Sequence, residues 1–245
     1  MGKVIAIVSG KGGVGKSSIC ATLAYCLAEL EKKVLLVDMD KGLRTLDILM
    51  NVAETTLFDL GDVLDGECLI SDAVYKAVTA RAVEIISAPA GAEYNFDILK
   101  LKALCGKLSD CYDFVLLDSP AGLGDGFRAA IAPAESVLLV TTPDPVCARD
   151  ARQTSLETSK LCPGSQRLII NRIKKDPFVY DDINSLDDII DITEVQLLGI
   201  VYEDGNFINS LLSGKLPDIE SEAKQAVMRI AKRLCGVRVK EKMRY

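Results

Sequence analysis

The chain has no histidine in 245 residues. That absence removes Ser-His and Cys-His nucleophile pairs and most zinc sites. Its chemistry must run on carboxylates, lysines, hydroxyls, backbone amides and a hard metal ion. Long apolar runs are missing too, and none approaches the ~18 residues a spanning helix needs. No two of the cysteines Cys20, Cys26, Cys68, Cys105, Cys111, Cys147, Cys162 and Cys235 stand in a C-x-x-C pair. They read as small buried hydrophobes of a cytosolic chain. There is no internal repeat, no low-complexity segment and no linker rich in Pro, Gly or Ser. Met1-Gly2-Lys3 runs straight into Val4–Val8 without a cleavable signal, so a cytoplasmic location is expected.

What is present describes a globular chain: 49% hydrophobic and 26% charged residues, enough for one large domain rather than two small ones. The net charge of −6 argues against nucleic acid as a partner, since phosphate backbones need a basic face. The charge is uneven. From Lys224 to Tyr245 there are eight basic residues and one acid, Glu241, giving +7 there and −13 elsewhere. Residues 1–236 read as the domain and 237–245 as a short basic tail.

Short β-branched runs alternate with helical patterns, the signature of βαβ units. Strands are expected at Lys3–Val8, Lys33–Asp38, Val83–Ser87, Asp113–Asp118, Ser136–Thr141, Gln166–Asn171 and Gln196–Val201. Runs such as Phe114-Val115-Leu116-Leu117 suit strands buried on both faces. Helices fit at Lys16–Glu31, Leu57–Leu64, Asp97–Leu108, Val146–Lys160, Ser185–Ile190, Phe207–Leu212 and Ile219–Leu234. The acidic stretch Asp181–Asp191 reads as a solvated loop and helix face. The fold class is α/β, a single doubly wound, mostly parallel sheet, with ligands expected at the carboxyl ends of its strands.

Gly10-Lys11-Gly12-Gly13-Val14-Gly15-Lys16-Ser17 matches G-x-x-x-x-G-K-[ST] directly after a strand and at the opening of a helix. Backbone amides along Gly12, Gly13, Val14, Gly15, Lys16, Ser17 and Ser18 can wrap phosphates, aided by the helix N-terminus. Lys16 would bridge the β- and γ-phosphates of ATP, and the Ser17 hydroxyl would ligate Mg2+. A second motif closes the second strand, Val37-Asp38-Met39-Asp40-Lys41-Gly42-Leu43-Arg44-Thr45-Leu46-Asp47. A carboxylate there sits beside the P-loop and can position a water, a role for Asp40, with Asp38 supporting the magnesium shell. In Phe114–Gly122, four apolar residues end in Asp118, the Walker B pattern that holds magnesium, and the Gly122 amide would sense the γ-phosphate.

Lys11 is a second cation in a loop that needs only one. With it the loop resembles the deviant Walker A family, the MinD/ParA group of ATPases, whose loop reads K-G-G-x-G-K-[ST]. Asp118-Ser119-Pro120-Ala121-Gly122, Thr141-Thr142-Pro143-Asp144, Ala148-Arg149-Asp150 and Ile230–Gly236 resemble the MinD branch over nearly the whole chain. The resemblance implies a P-loop NTPase of the SIMIBI type. It implies slow ATP hydrolysis, partner-stimulated, and a homodimer formed with ATP, in which Lys11 reaches the partner's nucleotide. It implies reversible membrane attachment and protein partners that regulate division-site placement. It also assigns Asn171 and Arg172 to adenine, with Tyr202, Glu203 and Asp204 along the other edge of the base.

Several positions depart from the family pattern. Lys41 and Thr45 replace an apolar residue and an asparagine, Gly124 a glutamate, Arg152 an aspartate and Tyr202 a proline. Altered Lys41, Thr45 and Gly124 keep open an ATP-binding, partner-recruiting module with negligible turnover. A flagellar-number or ParA-like positioning ATPase is a further alternative. An iron–sulfur reductase with this loop would need cysteines near the switch, and none lies between Asp113 and Thr142. The tail alternates Val237, Val239, Met243 and Tyr245 with Arg238, Lys240, Lys242 and Arg244. Weak, salt-sensitive attraction to anionic lipid, about 1 kcal/mol per basic residue near the surface, and a simple solvated tail both fit it.

Overall fold

The computed structural model describes residues 1–41, 43–78, 82–162, 164–174, 185–213 and 220–241. Among these, eight strands form one sheet: β1 (Lys3–Val8), β2 (Val34–Asp38), β3 (Tyr75–Lys76), β4 (Val83–Ile86), β5 (Phe114–Asp118), β6 (Ser136–Thr141), β7 (Ser165–Ile173) and β8 (Leu197–Tyr202). Their order is β3-β4-β2-β5-β1-β6-β7-β8. Every pairing is parallel except β3 with β4.

Alternation along each strand builds two cores. Ile5 and Ile7 of β1, Leu36 of β2 and Leu116 of β5 turn to one face. There they meet α1 (Lys16–Glu29), α2 (Thr45–Met50), α8 (Gly205–Leu212) and α9 (Glu222–Leu234). Val4, Ala6 and Val8, with Leu35, Val37, Val115 and Leu117, turn to the other. That face is covered by α3 (Leu60–Asp65), α4 (Ile98–Cys111), α5 (Asp125–Ile131), α6 (Pro145–Leu161) and α7 (Leu186–Thr193). A parallel sheet needs both faces covered because each crossover lays a helix on it. Helix α1 lies so deep that ten of its residues are buried, and Lys224 of α9 pairs with its Glu29 at 2.7 Å.

Three elements were not legible in the sequence pattern. β3 has only two residues. α2 starts after Arg44 in a left-handed conformation (φ 46°) with no side-chain cap, and α5 follows Gly124, which also caps nothing. Without a capping side chain the usual start signal is missing. By contrast α3 starts three residues later than expected, at an Asp59/Asp62 capping box. α7 extends to Thr193 behind a Ser185/Asp188 box, with Ile189 buried and Asp187 and Asp191 exposed. The rest of the acidic stretch, 181–184, and the expected start of the last helix at Ile219 lie outside the described residues.

Not every cysteine is a buried hydrophobe. Cys20, Cys26, Cys105, Cys147 and Cys162 are, whereas Cys68 and Cys235 are half-buried and Cys111 is exposed. Cys111 ends α4, where the helix turns its last residue to solvent. The tail does not simply leave the domain. Glu241 pairs with Arg229 at 3.2 Å and with Arg233 at the end of α9, and Arg233 also donates to the Val239 carbonyl. Arg238 and Lys240 face outward; residues 242–245 lie outside the described residues.

Candidate nucleotide site

The site forms at the carboxyl ends of the central strands. β1 and β5 are neighbours with Ile7 opposite Asp118, and β2 and β5 place Asp38 opposite Asp118. The loop from Ser9 to Gly15 therefore leaves β1 directly beside both carboxylates. Ser9 Oγ donates to the Lys11 carbonyl at 3.0 Å, and the Gly122 amide donates to Ser9 at 3.2 Å.

Gly15 has φ 90°, a conformation that side chains disfavour. A Cβ there would stand 2.4 Å from Asn171 Nδ2. Asn171 reaches this point from β7 and donates to the Val14 carbonyl at 2.8 Å. Gly10 meets a different limit, since its Cβ would stand 2.6 Å from the Asp150 carbonyl of α6. Two glycines thus let a strand and a helix close on the loop.

Lys16 Nζ lies 2.9 Å from Asp118 Oδ1, and both groups are almost fully buried, at 7% and 1% exposure. Burial pulls the Lys16 ammonium down, but the Asp118 charge and hydrogen bond outweigh it and the net shift is upward. Asp38 is pushed well up by burial and by Asp118, against the Asp40 and Leu46 amides that donate to its oxygens. Asp40 is half-buried and raised by its burial, opposed by Lys16 and reinforced by Asp118. Of the three buried side-chain polar atoms without a hydrogen-bond partner among the described residues, one lies in this site: Asp118 Oδ2.

That orphaned oxygen is the test for magnesium. Asp118 Oδ2 and the Ser17 hydroxyl are hard donors of the type Mg2+ takes, with Asp38 behind them. Among the described residues no group of three or more His, Cys, Asp or Glu could hold an ion alone. Mg2+ keeps waters and phosphate oxygens in its shell and takes few protein ligands. The residues present fit the ion.

Lys11 is exposed at the front of the loop, near enough to Asp144 for its charge to help hold that carboxyl low, behind the hydrogen bonds from Thr142 and Cys147. Gly15, Ser18, Asn171, Arg172, Tyr202, Glu203 and Asp204 line one cleft next to the loop, so the candidate adenine residues are brought together. Val201, Phe207 and Ala223 complete it and were not singled out as site residues in the sequence. Asp204 has a structural duty as well: its Oδ1 caps α8 through the Asn206 and Phe207 amides and its Oδ2 accepts from Ser221. Arg172 is held at φ 57°, a left-handed turn that aims the end of β7 into the cleft. A larger cavity of about 670 Å³ opens at the opposite end of the strands among Lys3, Lys33, Asp113 and Cys235. It lies at the amino ends of the strands, away from Lys16 and Asp118.

Residues 2–161 match the AAA domain family. The septum site-determining protein MinD of Synechocystis is 36% identical over 96% of this chain and 90% of its own length. Among solved structures, MinD of Pyrococcus horikoshii in complex with Mg-ADP is 30% identical with a TM-score of 0.85, covering 96% of each chain. MinD in the MinC:MinD cell division complex of Aquifex aeolicus is 33% identical with a TM-score of 0.89, covering 98% of each chain. A shared fold, a shared P-loop and identity of 30–36% across almost the whole length leave one assignment: the chain belongs to the MinD family of P-loop ATPases, which use ATP with Mg2+.

Proposed function

We propose that this chain is a nucleotide-controlled dimerisation switch that takes part in division-site placement. The observation that carries the reading is the buried Lys16–Asp118 pair with Asp118 Oδ2 unpartnered. A buried cation beside an open hard ligand, where the glycine-rich loop meets α1, supports a site for a nucleotide with its metal. With ATP bound, Lys16 would turn to the β- and γ-phosphates, while Ser17 and Asp118 would hold Mg2+, with Asp38 in support. Magnesium would supply neutralisation of charge developing on the phosphate oxygens. Asp40 would orient the attacking water, and the Gly122 amide would report the γ-phosphate. Asn171, Arg172, Tyr202 and Glu203 would enclose the adenine.

Lys11 is the switch element in this reading. It is exposed, and its neighbour Asp144 lies at the start of α6. In the ATP state it would leave that neighbour for the nucleotide of a second copy. The Aquifex aeolicus relative forms a complex with MinC, and a regulator of that type is the partner expected here. On the exposed face of α6, Val146, Arg149 and Leu156 offer it a surface, while Arg152 is tied back to Glu194 at 2.8 Å.

Light scattering on size-exclusion chromatography tests the switch. A dimer is expected with Mg-ATP and a monomer with Mg-ADP; Asp40→Ala should trap the dimer and Lys11→Ala should abolish it. A monomer in every condition would sink the switch and leave an ATP-binding module in its place.

No helix among the described residues is long and apolar enough to cross a membrane, so membrane contact would be peripheral and made by the tail. The outward Arg238 and Lys240 support weak attraction to anionic lipid. Co-sedimentation with phosphatidylserine vesicles in the presence of ATP is expected at low salt and lost at ~0.5 M salt, where screening shortens to a few Å. Absence of pelleting at low salt would leave the tail simply solvated.

A further inference from the structure

Lys41 follows Asp40 directly in the segment after β2. Its side chain is half-buried. Nζ donates to the Tyr94 carbonyl at 2.6 Å and lies 5.9 Å from the centroid of the Phe96 ring. Both partners are themselves fixed. The two rings meet edge to face at 5.5 Å, and Tyr94 Oη donates to Asp65 of α3 at 3.0 Å. Arg44, three residues further along, spans the same gap, with Nε donating to the Ala88 carbonyl at 2.8 Å and the guanidinium pairing with Asp59 at 2.6 Å.

The segment after β2 is therefore gripped from two sides. On the inner side the Asp40 amide donates to Asp38 Oδ1 at 2.8 Å and the Met39 amide to the Asp118 carbonyl at 2.9 Å. On the outer side Lys41 and Arg44 tie it to the loop that runs from β4 to α4. Between these grips stands Asp40, whose carboxyl lies within electrostatic reach of Lys16 and Asp118.

We propose that Lys41 is a positioning residue for ATP hydrolysis, holding the Asp40 turn in one conformation through the Tyr94 carbonyl and the Phe96 ring. The inference rests on the reading of Asp40 as the group that orients the attacking water. An in-line water tolerates little displacement, and a shift of about 1 Å in a positioning group can cost ~100-fold in rate. An apolar residue at position 41 could pack against Phe96 but could neither donate to a carbonyl nor gain from the ring's negative face. An arginine could do both.

The test is steady-state ATP turnover by the full chain, with ADP affinity measured on the same preparations. Lys41→Met is expected to lower kcat about 10-fold with KM and ADP affinity unchanged, and Phe96→Leu to lower kcat less. Lys41→Arg should restore at least half of the wild-type rate. In an Asp40→Ala background, Lys41→Met should have no further effect. A wild-type kcat in Lys41→Met overturns the proposal, as does a fall that persists undiminished in the Asp40→Ala background. A fall matched by an equal loss of ADP affinity also overturns it, because the residue would then be supporting the whole site. Wild-type turnover by Asp40→Ala alone would remove the role of Asp40 itself, a separate failure read from a separate variant.

Discussion

Lys16→Met is expected to abolish ATP turnover and to destabilise the fold in the same molecule. Methionine keeps most of the bulk, so the experiment removes the charge and not the packing. Catalytically, the group that neutralises the phosphates is gone, and losing a single charge-stabilising donor costs about 10²–10³-fold in rate. Structurally, Asp118 is 1% exposed and keeps one oxygen unpartnered already. Removing Lys16 leaves a buried carboxylate with no compensating charge, a change that costs about 3–5 kcal/mol in comparable pairs. Denaturant unfolding with and without Mg2+ checks both halves. The deficit should shrink when Mg2+ is added, since a cation beside Asp118 replaces part of what the ammonium supplied. An unfolding midpoint equal to wild type without Mg2+ would mean that Asp118 finds water or a proton at little cost, and that the pair is not what steadies the empty loop.

Gly15→Ala should do its damage by shape alone. The residue sits at φ 90°, where an L side chain costs about 1–2 kcal/mol. Its new methyl would also stand 2.4 Å from Asn171 Nδ2, so the bond from Asn171 to the Val14 carbonyl must break or the loop must move. Loss of about 2–3 kcal/mol at the site corresponds to a ~30–150-fold weaker affinity, measurable by calorimetry with ADP. The double variant with Asn171→Ala separates the two causes. It relieves the clash but not the backbone strain, so it should recover only part of the affinity of Asn171→Ala alone, the reference needed because Asn171 is also proposed to contact the adenine. Full recovery would show that the left-handed conformation matters less than the contact with Asn171.

The difference between what could be read in advance and what could not follows from how far apart the partners are in the chain. Gly10 to Ser17 is a contiguous motif whose spacing carries its chemistry, and Asp118 ends an unbroken apolar strand; such signals survive in one dimension. The order of strands was implied only as a class, because alternation of β and α patterns says parallel and doubly wound but not which strand is central. Tyr202, Glu203 and Asn171 converge on one cleft from β7 and β8, and only the family resemblance linked them. That resemblance did not foresee that Asp204 caps α8. The grip of Lys41 on Tyr94 had no sequence signal at all, for a backbone carbonyl has no residue identity. Helices α2 and α5 were missed for a related reason. They are held by burial of Leu46, Met50 and Phe127, with no capping side chain to announce them.

The central place of β1 in the sheet has a consequence for how the protein is made. Lys3 lies opposite Phe114 and Ile5 opposite Ser136, so β1 has no strand partner until residues beyond 113 follow it. β2 and β4 can pair earlier, but they cannot seat the P-loop. β1, with five of its six residues buried in the finished fold, must stay unpaired while residues 9–113 are made. Parallel pairing across such sequence separations is slow and prone to aggregation. The phosphate side of the nucleotide site thus waits for β5, and its adenine side for β7 and β8. The protein's yield in the cell would depend on chaperone occupancy as well as on the stability of the finished fold.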